Sequence, residues 1–292
     1  MFPQHNPAQQ TLDFICKLSG AREAHLTTAA TQLRDHVRKI RKLYRQPVGG
    51  SFPYHDLYFQ FAYLIAYFPY YIEPITHVLT AGTLPDELFA GGTLKASFFG
   101  GGPGPEVLGL AAYLRERAPA LEHVDVNVFD REPAWKIIQQ VLLPDMLPGY
   151  ASDRTGFSIT SRQCNVVKCA AEVCACGVAG SDLVIAQNFL TEVYGDRARA
   201  IKTFEGLVRR SGCRYLVFVE NNYPQTMELM NAIAWHLYTQ GLAVSPVQAR
   251  TDSIRPNVLT PEVLSQHLYA DEDGLRARKN VHCHHMVIEI AR

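Results

Sequence analysis

A chain of 292 residues, 47% of them hydrophobic, is long enough to bury a sizeable core as one large α/β domain with an appended element or as two small domains. Lysine plus arginine equals aspartate plus glutamate at 28 each, so no global field draws the chain toward polyanions, and a general nucleic-acid binder is disfavoured. The seven cysteines form no disulfide-like framework, and the opening Met-Phe-Pro-Gln-His-Asn-Pro has neither a basic head nor an apolar core, so a cytoplasmic setting without a secretory signal is expected.

Residues 1–92 read as an N-terminal helical cap, with helices over 12–18, 21–44 and 57–79 separated by Ser19-Gly20 and by the turn-rich stretch 47–53. The second helix carries Arg34, Arg38, Lys39, Arg41, Lys42 and Arg45 with only Asp35 to offset them, a basic face within 34–45 that is either solvated or laid against RNA phosphates. The segment 57–72 is the most apolar in the chain. Its 16 residues include five tyrosines, a glutamine and Pro69, and they fall short of the roughly 20 needed to cross a bilayer. It is therefore expected to be a buried or pocket-lining helix with no role at a membrane. Tyr54, His55, Tyr58, Tyr63, Tyr67, Tyr70 and Tyr71 fall within eighteen residues. Such rings either glue the cap to the domain that follows or, through Tyr54, Tyr63 and Tyr67, form a lid that stacks on a planar acceptor. His55 is the titratable group there placed to act as a base.

From residue 93 to 292 strands alternate with helices, which predicts an α/β domain with a mostly parallel, seven-stranded sheet covered on both faces. Strands are expected at 95–99, 123–129, 156–161, 182–186, 214–219, 242–248 and 280–290, the last alternating enough to run antiparallel. Between the first strand and a helix over 106–114 lies Gly100-Gly101-Gly102-Pro103-Gly104-Pro105-Glu106. Its glycines allow positive φ and close approach of a ligand to the main chain, and its prolines stiffen the turn and start the helix. Turns of this kind serve dinucleotides or S-adenosylmethionine. Asp130 closes the second strand, 26 residues beyond Gly104, where a carboxylate can accept both ribose hydroxyls of either ligand. Glu106 and Val107 stand where a third spaced glycine of G-x-G-x-x-G would fall, which tilts the reading away from a dinucleotide.

Taken together, roughly residues 60–292 resemble the class I S-adenosylmethionine-dependent methyltransferases, and loosely the branch associated with the small ribosomal subunit. Gly100-Gly-Gly-Pro-Gly is similar to the family's first motif, Asp130 to its ribose-binding acid, Ser181-Asp-Leu-Val-Ile-Ala-Gln-Asn-Phe-Leu-Thr-Glu to its fourth strand and following loop, and Arg214-Tyr-Leu-Val-Phe-Val-Glu to its fifth. The resemblance implies a Rossmann-like fold and a dissociable S-adenosyl-L-methionine bound by Gly100, Gly101, Gly102, Pro103, Gly104, Glu106, Asp130, Arg131, Cys164, Asn165, Gln187 and Asn188. Two places depart from the family pattern. Phe98 stands where an acid usually precedes the first glycine. The usual aspartate beside the adenine amine is replaced by Gln163, Cys164 or Asn165, of which Asn165 is favoured because its amide oxygen can accept.

Methyl transfer asks a protein for alignment, exclusion of water and sometimes a base. Asn188 is expected to orient a polar acceptor and Glu192 to take a proton, although a helix-start cap is the commoner role for such a glutamate. Glu220, at the tip of the fifth strand, stands beside the acceptor with the same two readings. Cys164, Cys169, Cys174 and Cys176 lack paired C-x-x-C spacing and read as buried thiols, in part on a helix over 165–176; His282 and His284 share a strand face but more simply line a half-buried strand. No metal is expected. The favoured function is methylation of a small, aromatic or heterocyclic metabolite under the cap; an RNA methyltransferase or ribosome-assembly factor, and a non-catalytic S-adenosylmethionine-binding module, are the alternatives.

Overall fold

The computed structural model describes residues 6–20, 26–44, 52–82, 84–166, 177–269 and 275–291. Four helices precede the sheet. α1 (Pro7–Ser19) begins where the Asn6 side chain accepts from the Ala8 N–H with proline in the first turn, and it ends at Gly20 in the left-handed conformation. α2 spans Leu26–Tyr44, and α3 (Leu57–Ala66) is capped by Asp56, which accepts from the Tyr58 and Phe59 N–H groups. The single helix expected over 57–79 is broken at Pro69. Proline has no N–H to carry the hydrogen-bond ladder forward, so Phe68–Tyr70 tightens into a 3-10 turn and the chain resumes as α4 (Ile72–Gly82).

The sheet domain then runs β1 (Thr93–Phe99), α5 (Pro105–Arg117), β2 (His123–Asp130), α6 (Trp135–Met146), β3 (Gly156–Gln163), β4 (Leu183–Gln187), α7 (Leu190–Val193), α8 (Arg197–Ser211), β5 (Tyr215–Asn221), α9 (Pro224–Thr239), β6 (Arg250–Ile254), α10 (Glu262–His267) and β7 (Val281–Glu289). The strand order is β3-β2-β1-β4-β5-β7-β6. Every pair is parallel except those of β7, which runs antiparallel to β5 and β6, as its alternating pattern predicted. The expected strand at 242–248 is not formed. Pro246 removes a ladder donor there, only Ala243 bridges to Ile290, and the edge strand is instead Arg250–Ile254. The helix expected over 165–176 lies almost wholly outside the described residues.

This order places the ligand crevice. From β1 the chain builds outward through β2 to β3 and then returns to the other side of β1 as β4, so the connections leaving β1 and β4 diverge at their carboxyl ends. One apolar cluster fills a sheet face through Leu94, Ala96, Phe98, Val126, Ile185 and Val217 and continues without a break into the cap through Phe59, Leu64, Phe68 and Ile75. The opposite face packs Phe99, Phe129, Val184, Phe218 and Ile288 against α8 and α9 residues such as Phe204 and Ile233. The cap is thus continuous with the core beneath it.

Cap and sheet domain pack tightly at α4 and α5, where a Cβ on Gly109 would lie 2.3 Å from the Ile72 carbonyl oxygen and 2.7 Å from Ile75. The nearest atom is backbone and cannot swing aside. Gly109→Ala should therefore destabilise the chain by about 1–3 kcal/mol in urea denaturation, as overpacking does; an unchanged midpoint would show that the two helices are not in register here.

Candidate active site

The turn after β1 is suspended from β2. The N–H groups of Gly100 and Gly101 both donate to the Phe129 carbonyl, at 2.8 and 3.2 Å, and the Gly102 N–H donates to Asp130 Oδ2 at 2.8 Å. Gly100 takes φ 65°, and a Cβ there would lie 2.4 Å from the Phe189 ring, so neither the backbone nor the space admits a side chain. Asp130 Oδ1 accepts from the Glu132 N–H at 2.8 Å. Each carboxylate oxygen has thus made one bond to the chain and keeps a lone pair for a ligand hydroxyl.

A small cleft of about 40 Å³ opens at this place. Gly100, Asp130, Arg131, Cys164, Asn165 and Glu192 line it, six of the residues singled out in the sequence. Phe129, Val166 and Phe189 supply apolar walls suited to a flat base. Across the mouth Arg131 and Glu192 approach to 3.3 Å, and the Tyr54 hydroxyl reaches within 3.5 Å of the other Glu192 oxygen.

The apolar Phe98 is fully buried, and a second carboxylate beside the turn, besides Asp130, comes from Glu106 in the first turn of α5. Glu106 is 3% exposed, with an oxygen so close to Gly101 that a Cβ there would lie 2.9 Å from it. Pro103 and Gly104 are buried beneath it, and Gly102 is held from below by Gln139, whose side-chain amide donates to its carbonyl at 2.5 Å.

The loop after β4 is tied to β5. Glu220 is wholly buried; Oε1 accepts from the Phe189 and Leu190 N–H groups at 2.7 and 2.6 Å, and Oε2 from the Thr191 hydroxyl at 3.3 Å. Its carboxylate therefore caps α7, the second of the two roles open to it. Asn188 sits at φ 55°, strained for any residue but glycine and best tolerated by asparagine, with its N–H donating to the Val219 carbonyl at 2.8 Å. Gln187 is buried, and its side-chain amide donates to the Tyr71 carbonyl.

In the cap, Tyr54 and Tyr63 lie 5.4 and 5.6 Å from Trp135, and Tyr63, Tyr67 and Tyr71 stack in series at 5.4 and 5.8 Å. His55 is exposed on the turn before α3. The basic face of α2 is partly turned inward: Arg34 donates to the His267 carbonyl, Arg41 to that of Arg276, and Arg38 pairs with Asp35, while Lys39 and Lys42 are exposed. Arg45 lies outside the described residues, as do Cys169, Cys174 and Cys176. Among the described residues Cys16, Cys213 and Cys283 are free thiols, whereas Cys164 is disulfide-bonded, a correction to its reading as a buried thiol. His284 bonds Thr251 while His282 is exposed, and no group of three side chains among the described residues could hold a metal. No described helix is long and apolar enough to cross a membrane. Sequence reasoning missed Trp135, Gln139, Asn221 and Arg278, whose proximity to the site comes only from the chain's return to the sheet edge.

The strand order and the glycine turn with its acid on β2 define a Rossmann-like α/β fold with a seven-stranded mixed sheet, methyltransferase-like in its topology. No protein-family model matches the chain, and no curated protein does. Among solved structures it is similar to an O-methyltransferase family protein from Burkholderia thailandensis, at 13% identity over 90% of this chain and 71% of that one, with a TM-score of 0.43. It is also similar to the MTase domain of METTL16, at 8% identity over 76% and 67% with a TM-score of 0.41, and to an antibiotic-related methyltransferase, at 10% over 69% and 90% with a TM-score of 0.36. These are distant likenesses and say nothing of activity or substrate.

Burial raises the acids of the site: Asp130 to about 6, Glu192 to about 7, and Glu106 and Glu220 to about 8. In each, desolvation outweighs the bonds that favour the charged form. The unfolded chain releases these protons near pH 4, the folded chain only at these higher values. The stability they contribute is present in full at low pH and falls as pH rises from about 4 to about 8. Urea denaturation of the ligand-free protein should give a declining free energy across that window, with a shallower decline in Glu106→Gln; a rising curve would contradict it.

Proposed function

We propose that the protein is an S-adenosylmethionine-dependent methyltransferase acting on a small, aromatic or heterocyclic metabolite held beneath the tyrosine-rich cap. The observation that carries this reading is the convergence of Asp130, the glycine turn and Asn165 on one cleft with apolar walls. Asp130 has one free lone pair on each oxygen for a pair of ribose hydroxyls, Asn165 offers an amide to the adenine edge, and Phe129 and Phe189 offer flat faces. Glu106 takes the place of the acid absent at Phe98 and faces the methionine end of the ligand. Gly101, Pro103 and Gly104 shape the turn, and Gln187 and Asn188 close the β4 side.

When bound, S-adenosylmethionine supplies an electrophilic methyl group on a sulfonium. The chain's part is to align an acceptor with that methyl, to exclude water with the packed rings of Tyr54, Tyr63 and Tyr67, and to receive a proton where the acceptor loses one. Glu192 suits the last task, because burial brings its carboxyl close to neutrality. His55, exposed on its turn, is the weaker candidate. Engagement of Arg34 and Arg41 within the protein leaves the α2 face a reduced grip on phosphates and favours a small acceptor over RNA.

Isothermal calorimetry should detect S-adenosylhomocysteine, with Asp130→Ala weakening it tenfold or more, on the order expected for lost hydrogen bonds to a charged group. Affinity for the cationic S-adenosylmethionine relative to neutral S-adenosylhomocysteine should increase from pH 6 to 8 as Glu192 and Glu106 ionise. Absence of binding by either compound would remove the methyltransferase reading. Tight binding with no methylation of any small molecule or RNA would favour a non-catalytic module.

A further inference from the structure

Beside the proposed cofactor cleft, at the carboxyl ends of β4 and β5, the structure holds buried polar atoms that no described group satisfies. Gln187 and Asn221 are 5% and 9% exposed. One end of each amide is anchored on the same residue: Gln187 Nε2 donates to the Tyr71 carbonyl at 2.9 Å, and Asn221 Oδ1 accepts from the Tyr71 hydroxyl at 2.8 Å. The other ends, Gln187 Oε1 and Asn221 Nδ2, are buried with no partner. A buried amide end without a partner is costly, so two at neighbouring strand tips point to a ligand that completes them.

Over the same tyrosine lies a cation. The Arg278 guanidinium sits 5.3 Å from the Tyr71 ring centroid and 4.9 Å from that of Tyr67, and no described carboxylate pairs with it. The guanidinium also bonds the Tyr67 hydroxyl, and its remaining N–H donors can meet a planar or tetrahedral anion. Tyr71 thus organises one acceptor, one donor and one cation on a single site.

We infer that Gln187, Asn221 and Arg278 form the methyl-acceptor site and that its substrate is a small molecule with an anionic group, carboxylate or phosphate, on Arg278 and a hydroxyl or amine donating to Gln187 Oε1. Asn221 Nδ2 donates to an acceptor atom of the same molecule. The inference rests on the methyltransferase reading above and names the class of its acceptor.

The test uses the full chain saturated with S-adenosylhomocysteine and three probes: 4-hydroxybenzoate, phenyl phosphate and the neutral 4-hydroxybenzyl alcohol, each to about 10 mM, where a millimolar ligand would saturate. Saturation-transfer NMR and calorimetry should register at least one anionic probe and bind the neutral one at least tenfold more weakly. Which anion binds better separates a carboxylate substrate from a phosphate. Arg278→Met should abolish the preference, Arg278→Lys should restore it only in part, and Asn221→Ala should weaken the anionic probe about tenfold, all with S-adenosylhomocysteine affinity within twofold of the parent. Equal binding of neutral and anionic probes, no binding of any, or indifference to Arg278→Met would overturn the inference. Loss of S-adenosylhomocysteine binding by the parent chain would instead overturn the methyltransferase reading itself.

Discussion

The site depends on one constraint: the backbone leaving β1 must turn within a space that excludes side chains while its N–H groups are held by β2. The Phe129 carbonyl takes two of those donors and the Asp130 carboxylate a third. Those bonds fix the angle at which α5 starts, and α5 in turn carries Glu106 back to the turn and packs Gly109 on α4. The cap is thereby registered to the glycine turn through the same short segment. A change in the turn would move both the cleft and the aromatic wall beside it.

A second consequence concerns charge. Glu106, Asp130 and Glu192 surround the turn in surroundings that disfavour their ionised forms. Burying such groups lowers the stability of the empty protein near neutral pH, a cost tolerated at functional sites. A cationic ligand reverses the balance, since each carboxylate gains a partner as it loses its proton. Glu220 belongs to a different class. Its bonds to the residues from Phe189 to Thr191 shape the β4 loop, and the strained backbone of Asn188 is held between that loop and β5.

The parts legible in the sequence were those carried by short-range signals. Alternating strands and helices, glycines at the end of an apolar run and an acid at the next strand tip are local patterns, and six of the seven strands form where they were expected. The misplaced sixth strand shows the limit of that approach. Leu242 to Gln248 is more apolar than Arg250 to Ile254, yet an edge strand needs one covered face and uninterrupted donors, and Pro246 decided against the first segment. Glu220 read equally as a ligand group or a cap because its partners lie thirty residues away in the chain, at separations of 29 to 31. Arg278 carried no signal at all, being one of several arginines after α10 until the fold stacks it on Tyr67 and Tyr71.

The tyrosine series gives the cap a direction. Tyr63 stands beside Trp135 and within the field of Glu106, and two stacked steps of 5.4 and 5.8 Å lead through Tyr67 to Tyr71 beneath Arg278. The wall is therefore acidic at the end nearest the glycine turn and basic at the far end. An anionic acceptor entered with its charge toward Glu106 would leave the guanidinium without an anion, whereas the opposite orientation pairs Arg278 and turns the molecule's uncharged end toward the glycine turn. Discrimination between the two orientations therefore comes from attraction at the Arg278 end. Stacked rings suit this task because they separate the two charged ends with a rigid, apolar surface that water does not enter.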